Sequence, residues 1–110
     1  MKITEQKHGE IIICALEGEI DINTSPELRK AFDGFTRRAI KKIVIDFSKV
    51  SYIDSSGLAT LIELLQRLKK IGGHLRLSSL SQKVRNVFEV TKLDKLFEIF
   101  DTHEDAIKDF

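Results

Sequence analysis

Several residue types are scarce in this chain, and each shortage closes off a class of function. Tryptophan is absent and tyrosine occurs once. A sheet of aromatic platforms for stacking single-stranded nucleic acid is therefore not expected. The phenylalanines mostly fall in apolar helix faces and read as core. Cys14 is the only cysteine, which excludes an intrachain disulfide. It lies in the run Ile11-Ile12-Ile13-Cys14-Ala15-Leu16 and reads as a small buried hydrophobe. No apolar run approaches the ~18 residues of a membrane span. The opening Met1-Lys2-Ile3-Thr4-Glu5 carries no secretory apolar stretch, so a cytoplasmic location is the expectation. Charge of one sign is lacking too: the formal net charge is +1, which gives no strong field toward nucleic acid or membrane. The short basic cluster Arg37, Arg38, Lys41, Lys42 fits a solvated helix end, where cations suit the helix dipole.

What is present describes one soluble globular domain spanning residues 1–110. Short apolar runs around Ile3 to Gln6 and Ile11 to Glu17 flank His8-Gly9-Glu10 and predict a hairpin. The second run is continuously apolar at Ile11 to Leu16, as expected of a strand covered on both faces. Thr24-Ser25-Pro26-Glu27 predicts a helix start, with Thr24 as cap, Glu27 reaching back and Pro26 in the first turn. That helix should fade near Ala39. Ile43 to Phe47 predicts a buried strand, and Ser48 to Tyr52 a loop or a frayed strand end. Leu58, Leu61, Ile62, Leu65 and Leu68 form one face of a second helix, closed by Gly72-Gly73. His74 to Leu77 predicts a fourth strand. Leu80, Val84, Val87 and Phe88 predict a third helix opened by Ser79 or Ser81. Leu96 to Phe100 is a candidate fifth strand, and Thr102 to Phe110 a short helix capped by Thr102. Alternation of strands and helices predicts an α/β fold: a mixed, mostly parallel sheet of four to five strands with about four helices.

No catalytic constellation can be assembled. His8, His74 and His103 have no metal-ligand spacing with one another or with Cys14. The phosphate-loop and dinucleotide glycine patterns are missing, and so is the G-x-S-x-G elbow. No metal and no cofactor are expected.

One loop stands out. Val50-Ser51-Tyr52-Ile53 leads into Asp54-Ser55-Ser56-Gly57, two hydroxyls at a helix N-terminus. The local reading is a helix cap by Asp or Ser. The functional reading is a hydroxyl on an α/β rim, open to a partner. A phosphate there would add a charge of about −1.5 to −2. It would lie among carboxylates, with Asp54 adjacent and Asp21 leaving a strand end toward the same rim. An acidic group of a partner ~6 Å away, at effective dielectric ~40, would be repelled by ~1.4 kcal/mol per phosphate charge. A dianion would weaken binding about 30- to 150-fold, while the helix N-terminus itself favours anions. A helical wheel continued back from Leu58 places Ser56 opposite the apolar face and Ser55 near its edge, and does not choose between them.

The segment Phe47-Ser48-Lys49-Val50-Ser51-Tyr52-Ile53-Asp54-Ser55-Ser56-Gly57-Leu58 resembles the signature of the STAS-domain anti-sigma factor antagonists. Gly18-Glu19-Ile20-Asp21 is similar to that family's turn before the first helix, and Gly72-Gly73 fits as well. Ala59 departs from the family, where many members have glycine. The resemblance spans almost the whole chain. It implies a single STAS-type domain that binds and does not catalyse. Its unphosphorylated form would bind an anti-sigma factor serine kinase and so release a sigma factor. Phosphorylation at Ser55 would switch binding off, and a PP2C-type phosphatase would reverse it. Asp21, Asp54, Ser55, Ser56 and Gly57 are the implied partner-binding residues. Two other readings stand beside this one: a STAS subunit of another signalling or lipid-transport assembly, and a small hydrolase using Ser55.

Overall fold

A computed structural model describes all 110 residues. The first two strands, β1 (Lys2–His8) and β2 (Ile11–Ile20), form the expected hairpin. Gly9 sits in its two-residue turn at φ +62°, a backbone conformation that residues with a Cβ seldom adopt. The chain continues through α1 (Ser25–Arg37), β3 (Lys42–Ile53), α2 (Ser55–Lys70) and β4 (His74–Ser78). It closes with α3 (Gln82–Val90), a single 3-10 turn, β5 (Glu98–Phe100) and α4 (His103–Ile107). The sheet order is β1-β2-β3-β4-β5, with β1 antiparallel and every later pair parallel.

Helices α1, α2 and α3 cover one face of the sheet. Their Leu28, Phe32, Leu61, Leu68, Val84 and Phe88 pack with Ile12, Cys14, Leu16, Ile43 and Ile45 in the main core. Helix α4 covers part of the other face, where Ala106 meets Ile11, Ile13 and Val44. The alternate residues in the first part of β2 thus enter two different cores, which is why the run from Ile11 to Leu16 is continuously apolar.

Strand β3 runs much further than its apolar pattern suggests. Ser48 to Tyr52, expected as a loop or frayed end, is paired strand. Its register against β2 shifts twice, between Ala15 and Glu17 and between Gly18 and Glu19, each time with one extra residue on β3. These bulges re-aim the side chains. The buried residues then fall at Phe47, Val50 and Ile53, every third position, and the two-residue period of a strand is lost.

Helix boundaries follow their caps. Helix α1 ends at Arg37, slightly before the expected Ala39. Ala39 takes a left-handed conformation at φ +56°, and the amide of Ile40 reaches back to the Phe35 carbonyl at 3.1 Å. Helix α2 ends in the same way, with Gly72 at φ +73° and the Gly73 amide on the Leu68 carbonyl at 2.7 Å. Ser81 caps α3 and Thr102 caps α4. On α2, Leu64 is buried and Ile62 only half-buried, the reverse of the expected stripe. Arg29 of α1 donates to Thr60, and Arg67 pairs with Asp33 of α1. This flank of α2 is therefore covered as well, and Leu64, between Thr60 and Arg67, goes under it.

Candidate functional site

The site forms where β2 and β3 end and α1 and α2 begin. The amide of Asp54 donates to the Ile20 carbonyl at 3.0 Å, which ties the two strand ends together just before the chain turns into α2. Asp54 is the N-cap of that helix. Its Oδ1 accepts the amides of Ser56 at 2.9 Å and Gly57 at 3.1 Å, and the Ser56 hydroxyl at 2.7 Å. The Ser56 hydroxyl is the main reason the Asp54 carboxyl lies below the usual carboxylate range. The amides of Gly57, Ser56 and Ile22 add to it, against the opposing effect of burial. The rim therefore carries a fixed negative charge.

The two serines have different surroundings. Ser55 is exposed, and its hydroxyl takes part in no hydrogen bond of the protein. Ser56 is half-buried, between Asp54 and the nearly buried Ser25 of α1, whose Oγ lies 3.0 Å from its own. Ser25 also donates to the Asp21 carbonyl at 2.7 Å. Each hydroxyl has one proton. With the Ser56 proton on Asp54, the single Ser25 proton is the only one available to both Ser56 and the Asp21 carbonyl. The wheel expectation, that Ser56 faces away from the packed side, is thus corrected. A wheel registers only the face on the sheet, whereas the first turn of α2 also packs sideways on α1.

Asp21 lies on the same rim and shapes it. Its Oδ1 accepts the amides of Asn23 at 2.9 Å and Thr24 at 3.1 Å. Thr24 occupies the N-cap position of α1, as expected, but its side chain makes no capping bond to the helix. Its hydroxyl instead accepts the Asp21 amide at 2.9 Å and donates to the Glu19 carbonyl at 2.8 Å. The expected reach of Glu27 back to the cap does not form, because the turn is already closed by its own side chains. Gly57 lies beneath the rim and is buried. A methyl group on it would stand 2.5 Å from Cγ2 of Ile20 and 2.8 Å from Cγ1 of Ile53. The glycine lets α2 sit directly on the two strand ends.

The fold thus brings Asp21, Asp54, Ser55 and Ser56 together over Gly57. Sequence reasoning missed Ser25, the link between the two helix starts. Its one signal was its place just before Pro26, at the first turn of a helix. None of the four surface cavities is lined by Asp21, Asp54, Ser55 or Ser56. The rim is an open surface, suited to another macromolecule more than to a small substrate. No group of His, Cys, Asp and Glu is arranged to hold a metal ion, and no helix is long and apolar enough to cross a membrane.

Comparison with known proteins places the chain in a family. The model of the STAS domain matches residues 2–106. The chain belongs to the STAS domain family. Among relatives of this STAS domain, the anti-sigma-B factor antagonist of Listeria monocytogenes is 30% identical over 99 residues, covering 90% of this chain and 84% of that protein. An anti-sigma factor antagonist from Mycobacterium paratuberculosis has a crystal structure similar at TM-score 0.88 and 28% identity, over 96% of this chain and 90% of that one. A crystal structure from Thermotoga maritima is similar at TM-score 0.92 and 28% identity, over 96% and 92%.

Proposed function

We propose that this STAS domain is an anti-sigma factor antagonist, a binding protein and not an enzyme. In its unphosphorylated form it binds an anti-sigma factor serine kinase and so releases a sigma factor. Phosphorylation of Ser55 by that kinase switches binding off, and a PP2C-type phosphatase restores the binding form. The observation that carries this reading is the contrast between the two serines. The Ser55 hydroxyl is exposed and unbonded, whereas the Ser56 proton is held by Asp54. A phosphoacceptor must be reachable and must give up its proton to a base of the kinase. Ser55 meets both needs without disturbing the cap, and Ser56 meets neither.

The names of the relatives support the same role, and the electrostatics fit it. A phosphate on Ser55 would stand beside the ionised Asp54 and near Asp21, so the rim would become strongly anionic. Incubation of the protein with the cognate kinase and ATP is expected to add one phosphate, seen by intact mass. The phosphate should be lost in Ser55→Ala and kept in Ser56→Ala. The opposite pattern would move the switch to Ser56.

A further inference from the structure

Five large apolar side chains are well exposed: Ile22, Tyr52, Ile71, Val90 and Leu96. Ile22 and Tyr52 lie on the rim that carries Ser55. Ile22 is 73% exposed at the tip of the turn between β2 and α1. This turn is pinned on both sides of the residue. Ahead of it, the Asp21 amide donates to the Thr24 hydroxyl, which itself donates to the Glu19 carbonyl. Behind it, the amides of Asn23 and Thr24 donate to the Asp21 carboxylate. A branched aliphatic group is thus held out into water on a backbone that has little freedom left to lose on binding. The Asp54 amide donates to the carbonyl of Ile20, two residues before Ile22, at 3.0 Å, which places the turn beside the cap that precedes Ser55.

We infer that Ile22 is the apolar anchor by which the serine kinase is held on this rim, and that the kinase offers a socket for a branched aliphatic side chain next to its catalytic centre. The inference rests on Ser55 being the phosphoacceptor. A standard interface covers ~800 Å² per partner, a patch of roughly 16 Å radius. A protein that brings a phosphoryl group to Ser55 therefore covers Ile22 as well. Exposed on a rigid turn near the centre of that patch, Ile22 has the placement of an energetic hot spot. Removing an apolar side chain of this size from water corresponds to ~10- to 100-fold in affinity. Seating it also strips water from Ser55. The unmodified hydroxyl tolerates this, and a phosphate dianion does not. The contact that holds the partner is thus the one that makes phosphorylation release it.

The test uses the full chain and the purified kinase that labels Ser55, loaded with ADP, with binding followed by surface plasmon resonance. Ile22→Ala should raise Kd at least ~10-fold, mostly through faster dissociation, with an unchanged melting temperature. Val90→Ala removes an equally exposed aliphatic group far along α3 and should leave Kd within about twofold. If wild-type protein binds and is labelled on Ser55 while Ile22→Ala binds within about twofold of it, the anchor is overturned and the Ser55 reading stands. If the wild-type protein neither binds nor is labelled by any anti-sigma factor kinase, both are overturned.

Discussion

Asp54 is the residue on which the rim depends most, and its charge state is open to measurement. Its carboxyl is held low chiefly by the Ser56 hydroxyl. In the unfolded chain it should titrate near ~3.9. A group whose folded value is depressed contributes stability that is present above the unfolded value and lost as pH falls through the folded one. Carboxyl titration by NMR should place Asp54 below the ordinary range in wild-type protein and move it upward in Ser56→Ala. Ser56→Ala should also lose stability at neutral pH relative to wild type, with the difference narrowing in acid. Asp21 needs a different substitution. Its carboxylate accepts two backbone amides of the turn, so Asp21→Ala should cost ~1 kcal/mol of stability in a denaturant titration as well as impair binding. Asp21→Asn keeps an acceptor oxygen while removing the charge. Stability close to wild type with weakened kinase binding would assign the charge to the partner and the oxygen to the turn.

Among the elements, several helix starts and the stop of α2 were legible in the sequence, whereas the long strand and the end of α4, at Ile107 and not Phe110, were not. Ser81, Thr102 and Gly72-Gly73 carry their signals locally, in side chains that bond or turn the backbone within four residues. The second half of β3 carries no local signal. Its pairing with β2 is long-range, and its two bulges scramble the alternation by which a strand is recognised. The end of α1 shows the opposite case, a local rule broken. Ala39 occupies the left-handed position that Gly72 fills at the end of α2. An alanine there strains its Cβ against the carbonyl, by about 1–2 kcal/mol. Ala39→Gly is therefore expected to stabilise the protein by up to ~1 kcal/mol, after the added flexibility of the unfolded chain is subtracted. Thermal unfolding would show it as a rise of several degrees for a domain of this size. No gain would mean that the last turn is not strained.

At the scale of the molecule, two cores of unequal size lie on the two faces of one sheet. Cys14 faces the larger, fully enclosed, and burial pushes its thiol up to about 12, with nearby Glu5 adding to the shift. The reactive thiolate is thus almost absent from the folded protein at neutral pH. Labelling of Cys14 by a thiol reagent should proceed only through global unfolding. Its rate should then follow the unfolding equilibrium measured by denaturant. Faster labelling would reveal a local opening of β2. Helix α4 is held on the opposite face in part by Arg76, which donates to the carbonyls of Ala106 and Lys108 and lies over the Phe110 ring, 4.2 Å from its centre. The Ser55 rim lies at the far end of β3 from that clamp. Its hydrogen bonds are made within β2, β3, α1, α2 and the turns that join them, and Lys83 of α3 reaches its edge over the Tyr52 ring.

The sequence by itself determined the α/β class, the hairpin, the order of strands and helices, the capping Asp54 and the family resemblance. Each of these resides in short-range patterns: apolar period, turn residues and a contiguous motif. It also singled out Ser55, but only through that motif, since local geometry left Ser55 and Ser56 equivalent. Their difference was decided by tertiary structure. Ser56 meets Ser25, a residue 31 positions away, and has its proton on Asp54. Ser55 meets nothing and stays in water. The physical reason is that a hydroxyl's availability depends on what packs beside it, and the first turn of α2 is flanked by a helix that no pattern within α2 encodes.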